Sequence, residues 1–221
     1  MDEVSDKGRQ YLLEKFTGEN LRKTGNLYTF TKKKMPHHSY FVLAAFSILG
    51  MVLIVQVAGL RNNGVELLGK PTIDKYYFYT GKVTMAISWG LFLVKALLPK
   101  LGYIPVPPIL CWIATGLLWV GAFMTALAII GLGKSLKVGL PDTATTLKTR
   151  GIYSFSRNPL YTGVYLITIG SVLYFPDLIN FSFTIFSIYI HHQIIKSEEN
   201  FLKERFGAQW EDYRLRVRRY L

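Results

Sequence analysis

Residues 39–60 carry no charged side chain, and only Gln56 and a few small or hydroxyl residues interrupt an otherwise apolar run. A helix needs about 20 mostly apolar residues to cross a hydrocarbon core, so this stretch by itself predicts a membrane protein. Two more stretches reach a similar length. Residues 76–98 open on Tyr76, Tyr77, Phe78 and Tyr79, an aromatic start of the kind found at the membrane interface, and contain Lys82 and Lys95, each near enough to an end to snorkel toward headgroups. Residues 107–132 open on Pro107 and Pro108, which a first helical turn tolerates. The apolar stretch 160–195 is too long for one crossing and is broken by Pro176 and Asp177, so it reads as a tight helical hairpin with short arms. The expected fold class is therefore all-α: a polytopic membrane helical bundle of about five transmembrane helices.

Composition agrees and removes other classes. Half of the 221 residues are hydrophobic and only 18% are charged, yet Lys and Arg outnumber Asp and Glu by 26 to 14, a net charge of +12. A soluble domain carries more charge, and a disordered basic tail fewer apolar residues. Cys111 stands alone, which leaves no internal disulfide. The positive charge is spread over membrane-flanking segments, so a nucleic-acid partner is not expected, whereas a bilayer with anionic lipids is.

Three regions follow: a polar, basic N-terminal segment 1–38, three transmembrane helices in 39–132, and 133–221 with the hairpin and tail. The first segment lacks the order of a signal peptide, so the first helix is expected to be retained. With five crossings, the loop after the first helix, the central segment 133–158 and the tail from Lys196 share one face. That face holds fifteen basic residues against nine on the other, which places it in the cytoplasm. In the tail, Trp210, Tyr213, Val217 and Tyr220 recur at helical spacing among Arg214, Arg216, Arg218 and Arg219, the pattern of an interfacial amphipathic helix.

Polar residues that a plain anchor would not need cluster in two places. Asn158-Pro159 is a good helix start on its own terms, Asn at the N-cap and Pro in the first turn. Free amides there also attract negative groups, and Arg157 adds a fixed positive fork. Glu198 and Glu199 are adjacent and project about 100° apart on a helix. They are either a solvated acidic turn paired with Lys203 or Arg205, or one of them faces the bundle and receives a cationic ligand, with Tyr161 presenting a ring to the cation. His191 and His192, with His37 and His38, are too few for a membrane di-metal oxygenase, so no metal is expected and the pair is read as interfacial. Gly131 and Gly133 follow no strand, which turns their GxG into a helix C-cap and not a dinucleotide-binding turn.

Taken in order, Leu147-Lys-Thr-Arg-Gly151-Ile-Tyr153, then Ser156-Arg157-Asn158-Pro159-Leu-Tyr161-Thr-Gly163, the hairpin, Glu198-Glu199, Phe206-Gly207, Trp210, Tyr213 and Arg216-Val217 resemble the integral membrane methyltransferases, which include isoprenylcysteine carboxyl methyltransferase and the phospholipid methyltransferases. The resemblance covers the chain from about Gly131 onward. It implies S-adenosylmethionine as cofactor on the cytoplasmic side and a lipid or lipidated substrate approaching from the bilayer; a bacterial inner membrane and an endoplasmic reticulum both fit. It also implies that Leu147, Gly151, Tyr153, Asn158, Pro159, Tyr161, Glu198 and Glu199 line the cofactor site, with Arg157 and Arg216 near the reacting group. Asn158 stands where the carboxyl methyltransferases usually have His. Membrane sterol reductases have a similar C-terminal hairpin and bind NADPH, but their Arg-His and Asn-Tyr elements are absent here. A non-catalytic membrane protein that retains the fold is the remaining alternative.

Overall fold

The computed structural model describes residues 19–24, 27–32, 35–65, 69–102, 104–140 and 146–221. Most of the basic segment 1–38, including Lys33 and Lys34, lies outside the described residues. Within it the backbone forms an antiparallel hairpin, β1 (Glu19–Thr24) with β2 (Leu27–Lys32), pairing Glu19 with Lys32 and Thr24 with Leu27.

The rest is helical: α1 (His37–Asn62), α2 (Lys75–Leu97), α3 (Pro108–Leu132), α4 (Pro159–Tyr174), α5 (Leu178–Phe206) and α6 (Ala208–Arg216), with short 3-10 turns at Gly133–Ser135 and Gly151–Ser154. α1, α5 and α3, the last continued to Ser135, are long and apolar enough to cross a membrane. α2 has 23 residues and α4 has 16. Outward-facing apolar side chains belong to the lipid side. On α1, Met51, Ile54 and Val55 are 65–72% exposed, too large an apolar face for water alone. Tyr76, Tyr77 and Tyr79 at the start of α2 are exposed, as an interfacial belt requires.

Helix ends follow local chemistry. The Asp74 carboxylate accepts from the backbone N–H groups of Tyr76 (2.9 Å) and Tyr77 (3.4 Å), which caps α2. Asp177 does the same for α5 through Ile179 N–H at 2.9 Å. Gly133, at φ 52°, ends α3 as the GxG pattern predicts. The hairpin between α4 and α5 is closed from inside by Asn180, fully buried, whose amide donates to the carbonyls of Ser171 (3.1 Å) and Phe175 (2.9 Å).

α3 and α4 form the most extensive helix pair. They approach so closely that a Cβ on Gly121 would stand 2.5 Å from the Gly163 carbonyl oxygen, and one on Gly163 2.5 Å from that of Gly121. Small residues at a crossing replace the hydrophobic drive that lipid cannot supply between helices. The main core, with Val42, Leu49, Phe92, Leu118, Ile167 and Tyr174, lies where α1, α2, α3 and α4 meet.

The expected shared face is present. Lys70, after α1, pairs backbone to backbone with Leu140, after α3, and Ser197 donates its hydroxyl to the Thr72 carbonyl at 2.5 Å. Of the two lysines expected to snorkel, Lys95 extends beyond its helix end whereas Lys82 turns onto the protein. Lys95 Nζ reaches past the end of α2 to the carbonyls of Pro99 and Leu101 in the following loop, and Lys82 is half-buried with Nζ 4.4 Å from the Phe78 ring centroid. His191 is buried, its Nδ1 2.8 Å from the Ser187 carbonyl, where an interfacial position was expected. The tail helix α6 turns its aromatic side inward: Trp210 and Tyr213 are 2% and 3% exposed, so that face packs on protein and its arginines stay outside.

Candidate functional site

The residues singled out by sequence converge at the end of the bundle that holds the central segment and the tail. Gly151, at φ 64°, adopts the left-handed backbone that admits the 3-10 turn. That turn buries Tyr153, whose hydroxyl donates to the Ala128 carbonyl (3.3 Å) and whose own carbonyl receives the Tyr213 hydroxyl (2.6 Å). Burial pushes both phenols up, that of Tyr213 to about 12. Both rings therefore remain neutral in the physiological range.

Asn158 takes the N-cap position and Pro159 the first turn of α4, as their pairing predicts, but the Asn158 side chain does not cap the helix. Its amide donates instead to Glu199 Oε1 (3.0 Å) and to the Arg219 carbonyl (3.3 Å). Glu199, only 7% exposed, is the hub of a latch. Its Oε1 also accepts from Arg157 Nε at 3.2 Å, and its Oε2 accepts from Arg219 Nε at 2.9 Å and Nη2 at 2.7 Å. The same hydrogen bonds hold the Arg219 guanidinium above the ordinary arginine range.

Three of the five side-chain N–H donors of Arg157 are taken up within the latch. Its Nη1 donates to the carbonyls of Arg214 and Val217, both at 3.0 Å, its backbone N–H to that of Arg218 at 2.9 Å, and its guanidinium lies 5.6 Å from the Trp210 ring centroid. The Ser156 hydroxyl donates to the Arg219 carbonyl at 3.3 Å. The Ser-Arg-Asn run thus binds the C-terminal tail along its backbone. Tyr220 adds a contact through its hydroxyl, 2.6 Å from His192 Nδ1.

Glu198, on the other side of the same helical turn, faces differently. It accepts the Tyr161 hydroxyl at 2.8 Å and lines a cleft of about 160 Å³ with Leu132, Leu147, Tyr153, Phe201, Trp210 and others, including Lys137, Lys148 and Arg157. Of the eight expected cofactor residues, Leu147, Tyr153 and Glu198 line this cleft, and Tyr161 reaches it through Glu198. Asn158 and Glu199 belong to the latch behind it, Pro159 is buried at the helix start, and Gly151 shapes the turn. Arg216 stands apart from the latch: it is exposed on α6 and pairs with Asp212 at 2.6 Å.

Arg219 occupies the place beside Glu199, and sequence reasoning missed it. One arginine among four in the tail gives no periodic signal that separates it from the rest. Lys82 was missed for another reason. It lies one helix away on α2, close enough for its charge to act on Glu198, and reading it as a snorkelling residue hid the inward orientation.

No curated protein matches the chain. Residues 109–209, just under half of the chain and running from the first turn of α3 to the start of α6, match the phospholipid methyltransferase family, which over that stretch bears out the resemblance read from the motifs.

Proposed function

We propose that the protein is an S-adenosylmethionine-dependent methyltransferase embedded in the membrane, acting on a lipid or lipidated acceptor. The observation that carries this reading is that Glu198, the one carboxylate among the described lining residues, is presented to the cleft by the Tyr161 hydroxyl, inside the stretch that matches the phospholipid methyltransferase family.

The cleft residues fit that cofactor by chemistry. Glu198 offers countercharge to a cation, the leucines with Phe201 offer an apolar slot for a base, and Lys137 and Lys148 offer partners for a carboxylate. Its volume is below the ~300 Å³ at which small-molecule sites usually begin. Leu140 and Thr146 on its wall border residues 141–145, which lie outside the described residues.

When bound, the cofactor supplies a methyl group on a sulfonium, so the protein's task is to position an acceptor in line and exclude water. Tyr161 fixes the Glu198 carboxylate through one oxygen and leaves the other for a ligand. Glu199 is kept out of the cleft by three donor side chains, which separates the roles of two neighbouring acids. An amine acceptor must shed a proton, and Glu198 is the group placed to take it; a carboxylate acceptor needs no base. Arg157 acts as a positioning residue through the three donors it gives to Glu199 and the tail, and it lines the cleft as well. Arg216 is exposed on the tail, and its pair with Asp212 is solvent-exposed and weak enough for an incoming anionic headgroup to displace.

Calorimetric titration of S-adenosylmethionine into the protein in lipid nanodiscs tests the reading. Micromolar binding that Glu198→Gln weakens at least about tenfold, equivalent to about 1.4 kcal/mol, is the expected result. Absence of binding to the wild-type protein refutes it.

A further inference from the structure

At the other end of the bundle is a second and larger cavity, about 710 Å³, formed by the starts of α1 and α3, the ends of α2 and α4 and the Pro-rich loop between α2 and α3. α3 has 25 residues and runs from this cavity to the Glu198 cleft, which puts the two about 36 Å apart at 1.5 Å per residue. They are separate sites. The cavity falls within the usual range for a bound small molecule.

Its lining has a sign. His37, His38, Lys95 and Lys100 contribute the ionisable nitrogen groups, and no carboxylate is among the described lining residues. Lys95 is 9% exposed, and two of its three ammonium donors go to the carbonyls of Pro99 and Leu101, which fixes the head and leaves one N–H. Tyr174, 1% exposed, holds the other side: its hydroxyl meets His38 Nδ1 at 2.8 Å and the Ser39 hydroxyl at 3.0 Å. The remaining wall is apolar or aromatic, with Ile104, Pro105, Val106 and Trp112, and Trp112 packs edge-on against His38 at 6.1 Å. A buried cation beside a preorganised polar cluster and an apolar wall is a site for an anion attached to a hydrocarbon.

We propose that this cavity binds the phosphate headgroup of an anionic lipid, with Lys95 and Lys100 facing the phosphate and the wall from Ile104 to Trp112 receiving the first part of the chains. The assignment is independent of the methyl-transfer site.

Cys111 lines the cavity and is the only cysteine in the chain, so its thiol is a built-in reporter. Its rate of reaction with N-ethylmaleimide is measured on the full chain in detergent with added dihexanoyl phosphatidylglycerol, with dihexanoylglycerol, or with inorganic phosphate. Phosphatidylglycerol at ten times its dissociation constant slows labelling about tenfold by mass action, while the other two leave it unchanged. Lys95→Gln and Lys100→Gln each reduce that protection, and Lys100→Gln carries the test if loss of the Lys95 loop contacts prevents folding. Equal protection by dihexanoylglycerol overturns the anion assignment. Equal protection by inorganic phosphate overturns the lipid assignment in favour of a free anion, and undiminished protection in Lys100→Gln together with any folded Lys95→Gln protein overturns the lysines' role.

Discussion

Replacing Glu199 with Gln keeps the shape of the side chain and removes the charge that four hydrogen bonds converge on. Both Arg157 and Glu199 side chains are 8% exposed, so the substitution strands a buried guanidinium. Breaking one partner of such a pair costs about 3–5 kcal/mol. Arg157 keeps its bonds to the carbonyls of Arg214 and Val217, and Arg219 is about a third exposed, so the lower end applies, about 3 kcal/mol. The loss falls on the attachment of the tail, because Arg157, Asn158 and Arg219 all join Glu199 to residues beyond α6 or to their backbone. Chymotrypsin cutting after Trp210 and Tyr213, both buried, reads the opening directly. If cleavage tracks the open population, a loss of 3 kcal/mol raises its rate by on the order of 100-fold. Arg219→Ala raises it by less, since its partner retains Arg157 and Asn158. A cleavage rate within about threefold of wild type in Glu199→Gln would refute the latch.

Other perturbations separate the parts. Tyr161→Phe removes the donor that orients Glu198 and lowers cofactor affinity about fivefold, or about 1 kcal/mol, without loosening the tail, as calorimetry and chymotrypsin read together will show. Gly121→Leu forces a side chain into the α3 and α4 crossing and lowers the thermal midpoint in detergent, the equivalent of about 1–3 kcal/mol of overpacking; an unchanged midpoint would mean that the helices do not approach as closely as the glycines imply. Asn180→Leu removes the donor to the Phe175 carbonyl, while the Ser171 carbonyl keeps the Phe175 N–H, and costs about 2 kcal/mol, again read as a lower midpoint. Tyr213 is neutral when folded and its phenol is raised to about 12, so the stability it contributes is present below about 10, its ordinary value, and is lost as pH rises toward 12. Tyr213→Phe flattens the stability profile in that alkaline window.

What the sequence made legible follows from the range of the physics involved. Apolar run length and helix-end chemistry are local, so the helices, the Pro176-Asp177 turn and the Gly133 cap could be read directly. The convergence of Ser156, Arg157, Asn158, Glu198 and Glu199 was legible only as an ordered motif, since nothing in their spacing says which atoms meet. The partners of Glu199 depend on how a tail with four arginines folds back, and only Arg219 reaches it. Lys82 and His191 point inward because α2 and α5 pack there through Gly81, where a Cβ would stand 2.5 Å from Ile190, and single-helix reasoning cannot see that contact.

The two adjacent acids show why a latch belongs beside the site. Successive helical residues diverge by about 100°, so Glu198 and Glu199 cannot share a partner set. Turning one into the cleft necessarily aims the other at the tail. Arg157 and Arg219 pair with Glu199 and Asn158 donates to it, which holds that carboxylate on the tail side. The same arginines fix α6, whose Trp210 and Tyr213 form part of the cleft wall. Tail attachment and the cleft wall are therefore one arrangement, and Glu199→Gln should weaken cofactor binding only in proportion to the opening of the tail, whereas Glu198→Gln weakens it with the tail closed. Equal affinity losses in the two variants with equally intact tails would show that the acids are not divided in this way.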